Sequence, residues 1–197
     1  MPTHNIMCII VNNDDNSENK IEKISEPTTS QKKSNVTEKF RQFVRAVTSK
    51  KITLAIAILK ENNDIVFERD ENMKNALMFA SEYNQIELVK LLLELKSPVN
   101  ATNNKDNTAL MYAARFGNLD IVKMLANEKA YIDQQNVIGF TAIHIAVAMH
   151  HTAVVDFLLK ESANFNIPNY DDITPLKNAV IRNFPDVVAL MRTHSSN

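Results

Sequence analysis

Five twenty-residue segments of this chain align with one another without gaps. They are RQFVRAVTSKKITLAIAILK from Arg41, NALMFASEYNQIELVKLLLE from Asn75, TALMYAARFGNLDIVKMLAN from Thr108, TAIHIAVAMHHTAVVDFLLK from Thr141 and TPLKNAVIRNFPDVVALMRT from Thr174. Their starts lie 34, 33, 33 and 33 residues apart, and an alanine takes the sixth place each time: Ala46, Ala80, Ala113, Ala146 and Ala179. A fixed period of this size means stacked supersecondary units, none of which can bury its own apolar face alone.

Each unit reads as two helices. Thr108, Thr141 and Thr174 suit a helix start, where a hydroxyl can accept from an orphan backbone amide. Behind them Leu110, Ala113 and Ala114, or Ile143, Ala146 and Val147, share one face at helical spacing. The small alanines let neighbouring helices approach closely. The second helix carries an apolar stripe: Leu88, Val89, Leu91, Leu92 and Leu93 in one unit, Ile121, Val122, Met124 and Leu125 in the next. Stacking buries these stripes, so stability is roughly a sum of units and interfaces.

A period of 33 residues with a helix pair per unit is the ankyrin period, and the motifs resemble that family closely. The segments NVIGFTAIHIAVAMHHTAVVDFLLKESA and NNKDNTALMYAARFGNLDIVKMLANEKA follow the pattern D-x-x-G-x-T-P-L-H-x-A-A-x-x-G-x-x-x-I-V-x-L-L-L-x-x-G-A at most key places, and DDITPLKNAV keeps Thr174, Pro175 and Leu176. The resemblance covers about residue 36 to the C-terminus, with the first unit the most divergent, as suits a terminal cap. It implies an all-α ankyrin-repeat solenoid of about five helix-turn-helix units joined by β-hairpin loops, at approximately 36–69, 70–102, 103–135, 136–168 and 169–197.

The chain holds two glycines in 197 residues, against a usual share of about 7%. Asp106 and Asp172 stand where the family puts glycine in the hairpin turn, and Asn84, Asn183 and Gly117 stand between the helices. Asn and Asp tolerate left-handed backbone better than other side chains. Met73 and His150 occupy equivalent places.

Residues 1–35 differ in kind. VNNDDNSENKIEKISEPTTSQKKSN is polar, of mixed charge and without an apolar period, which predicts a disordered N-terminal tail. Ser25, Thr28, Thr29 and Ser30 are candidate phosphorylation sites there, and Cys8, Ile9 and Ile10 a candidate docking stretch, with a solvated terminus the plainer reading. The run from Ile6 to Val11 is too short for a signal-peptide core, and no basic residue precedes it. The one cysteine, Cys8, rules out an internal disulfide framework and fits a reducing compartment. No apolar run approaches the roughly 18 residues that span a bilayer. An intracellular protein, cytoplasmic or nuclear, is expected.

Enzyme chemistry finds no footing. There is no glycine-rich phosphate loop, no G-x-S-x-G elbow and no H-E-x-x-H, and Cys8 is no positioned nucleophile in a tail. His144, His150 and His151 lack the spacing and the thiolate or carboxylate partners of a zinc site. In the resemblance, His144 takes the histidine place of T-P-L-H, where the ring ties hairpin to helix by hydrogen bonds. No cofactor and no metal are expected. A formal net charge of −1 gives no global field toward nucleic acid or anionic membrane. Lys32-Lys33 and Lys50-Lys51 are short pairs without a basic face.

The resemblance implies a protein partner, held on one concave surface of hairpin tips and first-helix faces. By register this surface offers Glu71, Asn72, Lys74, Glu82 and Tyr83, then Asn104, Lys105, Asn107, Arg115 and Phe116. Val137, Ile138, Phe140, Ala148 and Met149 follow, then Tyr170, Asp171, Ile173, Ile181 and Arg182. The early units are polar. The later ones form an apolar patch of a kind monomers seldom leave uncovered. The candidate partner-binding residues are Tyr83, Arg115, Phe116, Val137, Ile138, Phe140, Met149, Tyr170, Ile173, Ile181 and Arg182, centred on Phe116, Phe140 and Met149, with Arg115, Arg182 and Tyr83 as a polar rim. The expectation is a non-catalytic protein-interaction module. Its alternatives are a regulatory inhibitor masking a transcription factor or kinase, and a self-assembling structural element. The last unit predicts a second open edge, with Val188 and Met191 uncovered on an otherwise monomeric protein.

Overall fold

The computed structural model describes residues 29–194. Among them are ten α-helices and one 3-10 helix: α1 (Thr29–Thr48), α2 (Ile52–Glu61), the 3-10 helix Asn63–Phe67, α3 (Ala76–Glu82), α4 (Ile86–Glu94), α5 (Ala109–Arg115), α6 (Leu119–Asn127), α7 (Ala142–Ala148), α8 (Thr152–Lys160), α9 (Pro175–Ile181) and α10 (Pro185–His194). The repeats lie in one compact unit that begins at Val36. Cys8, the Ile6–Val11 run, Ser25 and Thr28 lie outside the described residues. Residues 29–35, assigned to the tail from sequence, are helical: α1 starts at Thr29. Once Phe40, Phe43 and Val47 fix the buried face of a helix, adding polar turns to its start needs no new nucleus.

The repeats build two rows. First helices α3, α5, α7 and α9 pack side by side, and second helices α4, α6, α8 and α10 do the same behind them. The helices are short, seven residues in the front row, too short to persist without tertiary packing. The core runs through the stripes: Leu88, Val89, Ile121, Val122, Val155 and Leu158 are fully buried.

The recurring alanine has a second duty besides its size. At the end of each first helix its carbonyl accepts the amide five residues on: Ala80 from Gln85, Ala113 from Asn118, Ala146 from His151 and Ala179 from Phe184, at 2.9–3.0 Å. This is the closing bond of a Schellman turn, whose preceding residue must be left-handed. Asn84, Gly117, His150 and Asn183 take that conformation, with φ of 54°, 69°, 56° and 56°. Second helices close alike through Lys96, Lys129 and Ser162 at φ 60–62°, residues the sequence reading passed over. Thr108 and Thr174 cap α5 and α9 as expected, each hydroxyl accepting the amide three residues on. At Thr141 the amide donates to His144 Nδ1, so that nitrogen carries no proton and the Thr141 hydroxyl donates to it as well.

The connections between units are turns rather than stranded hairpins. Asn103, Asn136 and Asn169 amides meet the Asn107, Phe140 and Ile173 carbonyls at 3.0–3.1 Å, and one isolated bridge, Arg69 with Asn75, is the sole β pairing among the described residues. One bond pair closes each turn before a ladder can extend. The C-terminal end is not the open edge expected from sequence. Met191 is fully buried, along with Val187, and Val188 is half-buried, because α10 turns these residues toward α8 and α9.

Candidate partner-binding surface

Each tip is held by one side chain. Asp70, Asn103, Asn136 and Asn169, spaced 33 apart, put a side-chain oxygen between two amides of their own turn. Asn136 Oδ1 accepts from Ile138 (3.1 Å) and Phe140 (2.9 Å), Asn103 from Lys105 and Asn107, Asn169 from Asp171 and Ile173, and Asp70 from Asn72 and Lys74. Such Asx turns satisfy amides that no strand would otherwise take up. Composition alone hid this row; its strict period was the signal that could have found it.

The tips are then tied to one another. The Asn104 amide donates to the Asn72 carbonyl (3.0 Å), Val137 to Lys105 (3.2 Å) and Tyr170 to Ile138 (3.3 Å). Asn136 Nδ2 adds a bond to Asn107 Oδ1 at 2.8 Å. Gly139 answers why an apolar tip keeps a glycine: its φ is +79°, and a Cβ there would stand 2.7 Å from the Tyr170 backbone nitrogen. The fourth tip lies directly on the third.

With their backbones satisfied, the tip side chains point outward. Val137, Ile138, Tyr170, Phe116, Met149 and Ile181 are 46–70% exposed, as is Val180, which the sequence reading did not name. Phe116 and Met149 cap consecutive packed helices, α5 and α7, at equivalent places. Arg115 and Arg182 are exposed beside them, Arg182 Nε donating to Asn178 Oδ1 at 2.8 Å.

Three expected surface residues turn partly inward. Phe140 is half-buried, its ring stacked on His144 with centroids 5.4 Å apart. Ile173 is half-buried, and its carbonyl accepts from His144 Nε2 at 3.2 Å. Tyr83 is half-buried against the core. The centre of the exposed patch is therefore Phe116, Met149, Ile138 and Tyr170, without Phe140. His144 itself is fully buried, and burial holds its ring pKa below the usual histidine range despite the pull of the Ile173 and Ile167 carbonyls.

Lys74 departs furthest from expectation. It is buried, with its ammonium 4.2 Å from the Phe79 ring centroid and 4.3 Å from that of Tyr112, and it is ion-paired with Glu82. A buried ammonium needs such compensation. Burial and the Glu82 carboxylate together push the Tyr112 phenol up, while Asn103 Nδ2 donates to its oxygen. The polar half of the front face is thus partly self-neutralised.

The other histidines of the cluster serve the joints between units. His151 Nε2 meets the Arg115 carbonyl at 3.0 Å, with its ring over Gly117. His150 stacks on Phe184 at 3.9 Å and meets the Asp186 carboxylate at 2.9 Å. That bond, helped by the Thr152 hydroxyl, holds the Asp186 carboxyl down at about 2. Among the described residues no group of three or more His, Cys, Asp or Glu is arranged to hold a metal ion, and no helix is long and apolar enough to cross a membrane.

Comparison with known families bears directly on the stack. A family model described as "Ankyrin repeats (3 copies)" matches residues 43–136, and a second, "Ankyrin repeat", matches residues 138–170. No curated protein matches the chain.

Proposed function

Because the chain belongs to the ankyrin-repeat family, whose members are generally protein-interaction modules and typically non-catalytic, we propose that it acts by occupancy, holding another protein against its third and fourth tips and the ends of α5, α7 and α9. One observation carries this reading. Apolar side chains recur, exposed, at the same register positions of consecutive units, while the stripes that hold the units together are buried. Fully burying one such side chain contributes about 1.5–3 kcal/mol, and at half exposure about half of that remains for a partner. Six such residues therefore offer roughly 5–9 kcal/mol before the cost of association, the scale on which micromolar binding, about 8 kcal/mol, rests. Recruitment and masking of a partner's own site both follow from that occupancy.

The test is affinity capture from cell lysate by wild type, by Phe116→Ser/Met149→Ser, and by Tyr131→Ser as a control on an exposed aromatic away from the patch. A protein retained by wild type and by the control, and lost with the double variant, supports the reading. Equal capture by all three overturns it.

A further inference from the structure

The patch has two edges of opposite charge. Along the ends of the first helices the exposed charges are Arg115 and Arg182, since Glu82 is already paired with Lys74. No ion pair engages either arginine among the described residues. Along the tips stand Glu71, Asp106, Asp171 and Asp172 with Lys105 and with Lys177, whose ammonium donates to the Asp172 carbonyl at 3.3 Å: four carboxylates against two ammoniums, all exposed. Between these edges lie the apolar residues. Such a strip discriminates among partners that bury the same area, because a like charge set against either edge opposes docking.

We infer that the partner presents an amphipathic segment running along the stack, with carboxylates on the edge facing Arg115 and Arg182, basic groups on the edge facing the tips, and apolar side chains between. This rests on the patch being a docking surface. Charge complementarity fixes which way round the segment lies, and the spacing fixes its grammar. Arg115 and Arg182 sit two helix-packing steps apart, about 16–20 Å at 8–10 Å per step. Carboxylates that meet both are about 11–13 residues apart in a helix, at 1.5 Å per residue, or about five to six in an extended segment at 3.3 Å.

The experiment selects binders from a random 16-residue peptide display library on the purified chain, then measures labelled binders by fluorescence anisotropy. Four variants are compared: Arg115→Glu/Arg182→Glu, the neutral Arg115→Gln/Arg182→Gln, Glu71→Lys/Asp171→Lys, and Phe116→Ser/Met149→Ser. All the charge changes fall on exposed side chains, and circular dichroism checks the fold. Selected peptides should carry carboxylates at one of the two spacings and bind about tenfold or more weakly to the arginine reversal. Lysines in place of those carboxylates should restore binding to the reversed variant. Peptides that depend on Phe116 and Met149 but ignore every charge reversal overturn the inference and leave the docking surface standing. Peptides indifferent to Phe116→Ser/Met149→Ser, or a library that yields none, remove both.

Discussion

Asn136→Ala isolates what holds a tip in shape. The amide side chain makes three bonds: its oxygen accepts from Ile138 at 3.1 Å and Phe140 at 2.9 Å, and its nitrogen donates to Asn107 Oδ1 at 2.8 Å. Asn136 is buried, so water replaces these partners poorly. At about 0.5–1.5 kcal/mol per bond the loss is about 1.5–4.5 kcal/mol. The lower half of that range is favoured, because Ile138 is exposed and its freed amide can reach solvent. Asn136→Asp is the decisive comparison. A carboxylate keeps both turn bonds, as Asp70 does in the first tip, and Asn107 can rotate its own amide to donate. The aspartate variant should therefore cost under about 1 kcal/mol. Urea unfolding followed by circular dichroism gives both values, and hydrogen exchange should show lost protection at the Phe140 amide in the alanine variant alone. An alanine variant within about 0.5 kcal/mol of wild type, or an aspartate variant as damaged as the alanine one, would refute the claim that this side chain shapes the tip.

Two further outcomes follow from the same joints. Gly139→Ala adds a Cβ 2.7 Å from the Tyr170 backbone nitrogen at a φ of +79°; strain and overpacking together should lower stability by about 2–4 kcal/mol in the same urea assay, whereas Met73→Gly, at an exposed left-handed site, should be neutral or stabilising. His144 has its pKa lowered by burial, so below its ordinary value of about 6.5 the unfolded chain binds a proton that the folded chain refuses. Its stabilisation is complete above that pH and falls as pH drops toward the folded pKa, by up to about 1.4 kcal/mol per pH unit. Unfolding measured from pH 7.5 to 5 against His144→Gln, which keeps a capping side chain but cannot titrate, should show the wild-type advantage shrinking with acid; a constant difference would contradict a buried neutral ring.

The architecture was legible because it was written five times. Period, alanine register, threonine caps and apolar stripes each rest on spacing along one helix, and spacing survives without coordinates. Lys74 shows what does not survive. Its place in the other units is Asn107, Phe140 and Ile173, so no pattern announced a buried cation. Its burial depends on Phe79, Glu82 and Tyr112 from two units meeting in space. Phe140 differs from its register for a related reason: a ring at an outward position meets a flat neighbour in His144 and lies against it. Met191 lies on the last helix of the described stack, where register alone predicts an open edge, yet α10 turns that residue toward α8 and α9.

The tip row gives the strongest reason to read the exposed residues as functional. Asx side chains hold the backbone of all four turns, and the preceding tip adds a bond to each of the last three. Residues at the first two turn positions enter that scheme through their backbone, with one long side-chain bond at 3.5 Å between Asn104 Nδ2 and Asn72 Oδ1 in the first two tips, so folding places little demand on their side chains. The first two tips fill these positions with Glu71, Asn72, Asn104 and Lys105, the composition solvent favours. The third and fourth place Val137, Ile138 and Tyr170 there, with Asp171 the one charged exception. Exposed apolar groups work against solubility, and nothing in the tip's own hydrogen bonding needs them. Their cost is offset where a second surface covers them, and the adjoining Phe116 and Met149 extend the same uncovered strip onto the helix ends.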